Sequence, residues 1–317
     1  MAYIAALGEI LVDLTQTDIA PDGTRMLSAF PGGAPANVAV AAARLGASSA
    51  FIGKVGADSF GADLTKVLWD NNVDVAGLYT TQKAATTLAI VTVRGGERSF
   101  SFYRSPGADT LLTAEEALAP LRGDRRPVFL HLGSLSLTAE PSRSATVAAL
   151  EYARANGIFV SYDPNYRAAL WPNKETAVNW MLFPMAYAHM VKVSDEELPL
   201  LTGERDIAAG TEKLAACGPR LVMVTLGSEG VYYRLGSLTG TVPGYKVSVA
   251  DTNGAGDTFL GAMLSRLSAR STGPFAGLTQ AELESCLAFA NRAAALTCTR
   301  SGAIPAMPTK EEVENGI

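Results

Sequence analysis

The segment DTNGAGDTF, residues 251–259, combines residue types that suit the binding of a phosphate and the removal of a proton. Gly254, Ala255 and Gly256 are small enough for their backbone N–H groups to turn inward around an anion, and the stretch that follows predicts a helix whose dipole adds positive potential. Asp257 falls in the first turn of that helix, where the dipole favours the ionised carboxylate. Phosphoryl transfer to a hydroxyl needs an anion hole and a proton acceptor of this kind. An aspartate that only caps the helix is the alternative that the spacing leaves open.

Two other phosphate-binding motifs fit this chain less well. No GxxxxGK[ST] motif is present, which argues against a P-loop. GAGDTF has Phe259 where the dinucleotide-binding motif has its third glycine, and the segment lies late in the chain, which disfavours a site for NAD. The interpretation that fits best is an anion hole followed by a base.

The elements that would position this loop alternate between short apolar strands and amphipathic helices. PVFLHLG is followed by SRSATVAALEYARANG, and IFVSYDP is followed by KETAVNWMLFPMA. This order predicts an α/β fold, with a mostly parallel sheet flanked by helices, in one domain that spans residues 1–317. Ligands of such sheets bind at the carboxyl ends of the strands. The N-terminal run MAYIAALGEILVDL is interpreted as the first strand.

Two segments break this alternation. Residues 13–31 are polar and rich in turn residues, and residues 86–104 alternate apolar and polar side chains around a Gly95–Gly96 turn, which is typical of a β-hairpin. We expect the two segments to form a small antiparallel sheet that covers the strand ends as a lid. An edge hairpin without a function is the alternative.

The composition argues against several classes of protein. A net charge of -5 and a pI of about 5.2 provide no positive field for nucleic acid or for an anionic membrane, and no apolar run has the length of a membrane span. Three cysteines without a CxxC pair, and only two histidines, argue against a disulfide framework, a zinc cluster and Ser-His-Asp hydrolysis. A cytoplasmic protein is expected.

Together with PGGAPANVAVAAARLG near the N-terminus, DTNGAGDTF resembles the two signatures of the PfkB, or ribokinase-like, carbohydrate kinases. The resemblance covers almost the whole chain, and FYRSPGADTLL, DPNYRAALWP, KVSDEEL and TLGSEG are similar to segments of the fructokinases in this family. It implies a ribokinase-like fold and the phosphorylation of the 6-hydroxyl of fructose by ATP with Mg²⁺. A kinase for 2-keto-3-deoxygluconate or for nucleosides is the alternative within the family. A non-catalytic sugar or nucleotide sensor and an NAD-dependent oxidoreductase are the alternatives outside it.

The resemblance also implies roles for individual residues. Asp257 would be the base, and residues 254–256 would form the anion hole. Arg167 would stabilise the charge of the transferred phosphoryl group, and Arg104 could pair with the carboxylate of an acid sugar. The positions implied for the sugar are Asp13, Gly32, Gly33, Asn37, Tyr103, Arg104 and Arg167. The positions implied for the nucleotide are Thr225, Gly227, Gly230 and Asn291.

Ions and a partner subunit are implied as well. Glu197 matches the glutamate of the family's NxxE motif, which organises Mg²⁺ through water, although Ser194 stands where the motif has asparagine. Asp251 and the SGA segment at residues 301–303 resemble a site for a monovalent cation such as K⁺. Phe100, Phe102 and Tyr103 would point to the two faces of the hairpin. One face would cover the sugar, and the other would pair two lids in a homodimer.

Overall fold

The computed structural model describes residues 3–94 and 97–316 of the chain. Its strands are β1 (Tyr3–Leu7), β2 (Leu11–Ile19), β3 (Arg25–Gly32), β4 (Ser48–Gly56), β5 (Val73–Thr81), β6 (Leu88–Arg94), β7 (Glu97–Tyr103), β8 (Phe129–Gly133), β9 (Phe159–Asp163), β10 (Met190–Ser194), β11 (Leu221–Thr225), β12 (Val231–Leu235) and β13 (Leu238–Val242). Its helices are α1 (Ala34–Arg44), α2 (Ser59–Asp70), α3 (Ala114–Leu121), α4 (Ser142–Ala155), α5 (Lys174–Leu182), α6 (Glu197–Thr202), α7 (Ile207–Ala216), α8 (Ala255–Ser268), α9 (Gln280–Cys298) and α10 (Lys310–Asn315).

The larger sheet has nine strands in the order β13-β12-β11-β10-β9-β8-β1-β4-β5. Every neighbouring pair from β5 to β11 is parallel, and β12 and β13 extend the sheet with antiparallel pairs. The inner strands are buried on both faces, which explains why FLHLG and LVMVT are almost continuously apolar. The predicted α/β architecture is confirmed.

Helices cover both faces of this sheet and create two main apolar layers. On one face Leu150 and Met181 pack with Tyr162 of β9. On the other face Phe259 and Leu287, from α8 and α9, pack with strand residues of the sheet. Each fully buried side chain of this size contributes roughly 1.5–3 kcal/mol. These layers fix α8 against the sheet, with its first turn at the edge where the parallel strands end.

The smaller sheet consists of strands from the two segments that interrupt the alternation. Its order is β3-β2-β6-β7, and the hairpin of β6 and β7 is antiparallel as predicted. The expectation of a purely antiparallel sheet is wrong, because β2 and β6 pair in parallel. The predicted Gly95–Gly96 turn lies outside the described residues.

The N-terminal apolar run is two strands and not one. β1 ends at Leu7 in the larger sheet, and after three residues β2 begins at Leu11 in the smaller sheet. Most of β1 and the first two residues of β2 are buried and apolar, so periodicity does not reveal the break between the two strands. Among residues 3–94 and 97–316, no helix has the length and apolar composition that crossing a membrane requires.

Candidate active site

The start of α8 lies between two cavities. Gly254 and Asp257 line a smaller cavity of about 80 Å³, while Ala255 and Gly256 line a larger one of about 510 Å³. The first-turn N–H groups of Gly256 and Asp257 find no acceptor among the described residues, and that of Ala255 reaches Thr252 O only at 3.4 Å. Unpaired amides at a helix start attract anions. A phosphate at this loop would therefore face both cavities.

Gly254 has a backbone conformation that makes this loop possible. It caps α8 with φ of 75°, in the left-handed region that favours glycine. A Cβ atom on residue 254 would approach the Ala303 Cβ to 2.9 Å, so the packing of residues 301–303 against this position also requires a glycine at residue 254.

The smaller cavity is polar and is assembled from separate parts of the chain. Asp13 comes from β2 of the smaller sheet, Asn37 from α1, Arg167 from the segment after β9, and Asp257 from α8. Further side chains with polar groups in its wall belong to Glu9, Asn165 and Asn253. Carboxylates and amides of this kind suit a ligand with several hydroxyl groups.

Two helices bring Asn37 and Asp257 together. Asn37 Nδ2 donates a hydrogen bond to Asp257 Oδ2 at 2.8 Å, although 220 residues separate them in sequence. One helical turn further along, Gly261 of α8 faces Ala41 of α1, and a Cβ atom on Gly261 would lie only 2.5 Å from the Ala41 Cβ. The close crossing of α1 and α8 therefore sets the distance between the amide and the carboxylate.

Burial controls the protonation of the two central carboxyl groups. It raises the pKa of Asp257 to about 6, although the hydrogen bond from Asn37 and the charges of Lys192 and Arg167 act in the opposite direction. Burial also raises the pKa of Asp13 to about 6, against the charge of Arg167. The expectation that the helix dipole favours the ionised form of Asp257 omitted this desolvation. At neutral pH Asp257 is still mostly ionised and accepts a proton readily.

The hairpin contributes a different side chain to the cavity from the one expected. Phe102 lines the smaller cavity, whereas Tyr103 is 64% exposed and lies outside its lining. Adjacent residues of a strand point to opposite faces, so only one of the two can turn toward the cavity. The side chain of Phe100 lies outside the described part of the structure.

Arg104 does not reach the cavity lining either. Its guanidinium forms an ion pair with Asp109 at 2.6 Å and donates hydrogen bonds to Thr138 Oγ1 at 2.6 Å and Leu135 O at 3.0 Å. Only 5% of its side chain is exposed. Arg104 therefore anchors the base of the hairpin and is committed to Asp109, which corrects the expectation that it could pair with a substrate carboxylate.

Two adjacent glycines play different parts. Gly33 lines the smaller cavity, has φ of 103° and leaves no room for a Cβ atom, which would lie 2.6 Å from Glu9 O. Gly32 lies behind the lining, where a Cβ atom would come within 2.3 Å of Asp13 Oδ2. Gly32 thus leaves space for the carboxylate that enters the cavity.

All four residues predicted for the nucleotide line the larger cavity: Thr225, Gly227, Gly230 and Asn291. Asn291 Nδ2 donates to Val242 O at 3.1 Å and to Pro243 O at 3.0 Å, so it holds the chain after β13 in place. The remainder of the wall is largely apolar, with Val247, Val249 and Phe259 among its residues. An apolar slot beside an anion-binding loop matches the shape of a nucleotide.

The two acidic residues predicted for ions bind backbone amides. Glu197 Oε1 accepts from Tyr166 N at 2.7 Å and Oε2 from Ser194 N at 2.9 Å. Asp251 Oδ2 accepts from Gly302 N at 3.1 Å and joins the loop before α8 to the SGA segment. Within the described ranges, no group of three His, Cys, Asp or Glu side chains could hold a metal ion by itself. A metal here would depend on phosphate oxygens and water for most of its ligands.

Sequence reasoning missed Lys192, which lies beneath the loop. Lys192 is 8% exposed, and its Nζ donates to Asp163 Oδ2 at 2.9 Å. A Cβ atom on Gly256 would lie 3.0 Å from this nitrogen. Burial lowers the pKa of Lys192, but the carboxylates of Asp163 and Glu197 outweigh burial and raise it. The apolar neighbours in MVKVS gave one signal, because a lysine inside a buried parallel strand needs an acidic partner.

Comparison with known proteins agrees with this geometry. The model of the pfkB family carbohydrate kinases matches residues 1–310. Fructokinase-1 of Oryza sativa subsp. japonica is 45% identical over 98% of this chain and 96% of its own length.

Two solved structures share the fold over nearly their whole length. A fructokinase from Xylella fastidiosa with bound ATP has a TM-score of 0.90 and 35% identity, and covers 99% of this chain and 97% of its own. A fructokinase double mutant from Vibrio cholerae O395, with fructose, ADP and potassium ion bound, has a TM-score of 0.90 and 34% identity, and covers 100% of this chain and 98% of its own. With the family model matching almost every residue, the chain belongs to the pfkB family of carbohydrate kinases.

Proposed function

We propose that this protein is a fructokinase, which transfers the γ-phosphoryl group of ATP to the 6-hydroxyl of fructose. The observation that carries the proposal is the position of residues 254–257, two of which line each cavity. A sugar in the smaller cavity and a nucleotide in the larger one would meet at the unpaired amides of this loop. The full-length similarity to fructokinases supports fructose as the acceptor.

The side chains of the smaller cavity suit the steps of this reaction. Asp257 would accept the proton of the 6-hydroxyl as the oxygen attacks, and Asn37 would hold the carboxylate in position. The N–H groups of Gly256 and Asp257 would stabilise the charge that develops on the phosphoryl oxygens. The Arg167 guanidinium lies in the same wall and would add positive charge on the sugar side.

The charge of the cavity favours a neutral sugar over an acid sugar. Glu9, Asp13 and Asp257 all line it, and Arg167 is the one basic residue in the described part of its wall. A substrate carboxylate, as in 2-keto-3-deoxygluconate, would face this excess of acidic groups, and Arg104 is paired elsewhere. The cavity therefore suits a polyol better, and a nucleoside is the remaining alternative within the family.

ATP with Mg²⁺ is the proposed phosphoryl donor. Its phosphates would point toward residues 254–257, and its adenine ring would lie between the apolar walls of the larger cavity. Glu197 would orient water on Mg²⁺, which suits a carboxylate whose two oxygens already accept one amide each. When bound, the ion would neutralise charge on the phosphates. A monovalent cation such as K⁺ near Asp251 and residues 301–303 would order the adjoining loop.

A homodimer through the lid is proposed from the exposed apolar side chains on the smaller sheet. Ile19, Met26 and Leu27 are each more than 40% exposed there. Exposed apolar side chains of this kind suit contact with a second copy of the same sheet. A cytoplasmic location stays a prediction from the sequence.

A substrate panel tests the proposed function. The purified protein should phosphorylate fructose with ATP and Mg²⁺ at a higher kcat/KM than 2-keto-3-deoxygluconate or ribonucleosides, measured by ADP release. Product analysis should place the phosphate on the 6-hydroxyl. A higher kcat/KM for the acid sugar or for a nucleoside would contradict the choice of fructose, and turnover of none of them would contradict the kinase activity itself.

The activity should depend on pH through the carboxyl groups of the smaller cavity. The pKa of Asp257 is raised to about 6, and only its ionised form accepts a proton, so kcat/KM for fructose should rise as the pH increases through about 6 and then level off. Asp13 titrates in the same range and Glu9, with a pKa raised to about 7, lines the same cavity, so the profile reports the coupled carboxyl groups and not Asp257 alone. A profile measured at saturating ATP that is flat between about pH 5 and about pH 7 would argue against this assignment.

Gly261→Ala should lower kcat although residue 261 lines neither cavity. The added methyl would lie 2.5 Å from Ala41 Cβ and push α8 away from α1, which lengthens the Asn37–Asp257 contact. A misplacement of about 1 Å can cost roughly a hundredfold in rate, so a loss of about tenfold or more is expected. Gly210→Ala in α7 is the matched control, because the three atoms nearest to its Cβ would all belong to the Leu198 side chain. Comparable kcat values for the two variants would contradict the role of the helix crossing.

A further inference from the structure

Glu9 is a buried acid in the wall of the smaller cavity that the reaction described above does not use. It lies two residues beyond β1, at the edge where the parallel strands end, and is 2% exposed. Its Oε1 accepts a hydrogen bond from Ala34 N at 3.1 Å, at the first residue of α1. Its Oε2 is buried and has no hydrogen-bond partner in the described structure.

Capping α1 explains one oxygen of Glu9 and leaves the other unexplained. A buried polar atom without a partner costs free energy, and such atoms are uncommon in folded proteins. Asn37 Oδ1, in the same cavity wall, is a second buried acceptor without a partner. Two acceptors that lack donors in one cavity match a ligand that brings hydroxyl hydrogens.

We propose that Glu9 is a specificity-determining residue, whose Oε2 accepts a hydrogen bond from a hydroxyl of the sugar that is not phosphorylated. The inference rests on the proposed function, because it takes a neutral sugar as the ligand and Asp257 as the acceptor for the reacting hydroxyl. Burial raises the pKa of Glu9 to about 7, and a hydroxyl donor would favour its ionised form. The same carboxyl group adds to the acidic wall that disfavours anionic sugars.

Glu9→Gln separates the two functions of the side chain. The amide oxygen of glutamine can still accept from Ala34 N, while a donor replaces the acceptor Oε2. We expect KM for fructose to rise about tenfold to a hundredfold, with kcat and KM for ATP changed less than about twofold. Glu9→Asp keeps the charge but withdraws the carboxylate, and it should also raise KM for fructose.

Deoxy analogues identify the hydroxyl involved. The wild-type protein and Glu9→Gln are compared on 1-deoxy-, 3-deoxy- and 4-deoxyfructose and on 2,5-anhydromannitol, each of which lacks one hydroxyl that is not phosphorylated. For one analogue, the kcat/KM of the wild type should fall, relative to fructose, by as much as Glu9→Gln lowers kcat/KM for fructose itself. With that analogue as substrate, Glu9→Gln should cause no further loss. Independent, additive losses with every analogue would overturn the proposal.

Ser134→Ala is the matched control. Ser134 Oγ is also buried and without a hydrogen-bond partner in the described structure, but Ser134 does not line the smaller cavity. Removing this hydroxyl should therefore leave KM for fructose unchanged. Melting temperatures of all variants, with and without ATP, show whether each is folded. If the wild type does not phosphorylate fructose, the proposed function fails and the Glu9 proposal fails with it. If it does and neither Glu9 variant changes KM, the Glu9 proposal alone is wrong.

Discussion

Asp257→Asn is expected to lower kcat for fructose by about a hundredfold or more, the loss typical of removing a general base. Asparagine has almost the same size and can still accept a hydrogen bond from Asn37 Nδ2 through its amide oxygen. The cavity should therefore keep its shape, and fructose should still bind, with affinity reduced by the loss of one charged acceptor. Steady-state kinetics give kcat, and calorimetric titration of fructose gives the affinity.

The same substitution at another helix start provides the control. Asp206 caps α7 by accepting a hydrogen bond from Ala209 N at 2.8 Å, and it lines neither cavity. Asparagine is an equally good cap, so Asp206→Asn should leave kcat unchanged. An Asp257→Asn variant that turns over fructose at the wild-type rate would show that another group removes the proton. An unfolded variant would instead point to a structural role for Asp257.

The features that sequence alone predicted are local ones. Residues 254–257 lie next to one another, so glycine for the turn, free amides for the anion and a carboxylate in the first helical turn follow from their order. The βαβ alternation also follows from the spacing of apolar residues, because strands and helices have different periods. In both cases the physical cause acts over a few residues.

The features that sequence did not predict depend on distant contacts. The parallel pairing of β2 with β6 and the Asn37–Asp257 hydrogen bond join segments far apart in the chain. The commitment of Arg104 to Asp109 depends on how the hairpin base docks beside Leu135, which no periodicity encodes. The raised pKa of Asp257 likewise follows from burial among other elements, which outweighs the helix dipole.

Lys192→Met is expected to lower the free energy of unfolding by about 3–5 kcal/mol, because it leaves the Asp163 carboxylate buried without its partner. Asp163 is 1% exposed, so water cannot replace the ammonium. The double variant Asp163→Asn with Lys192→Met removes both charges and should recover much of the loss. Urea unfolding of the wild type, both single variants and the double variant gives the coupling between the two residues. Additive losses would contradict the ion pair as the source of the effect.

If the Lys192–Asp163 ion pair served only stability, its removal would leave the pKa of Asp257 unchanged. The geometry argues against a purely structural role. Lys192 Nζ lies beneath Gly256, and its charge lowers the pKa of Asp257 against the effect of burial. Without the ammonium the pKa of Asp257 should move further up, so the rise of kcat/KM with pH should occur at higher pH in Lys192→Met. Because Asp163 raises the pKa of Asp257, the double variant should return the profile toward that of the wild type. Measured at pH values where circular dichroism shows every variant to be folded, the profile thus separates an electrostatic contribution to the catalytic base from a loss of folded protein.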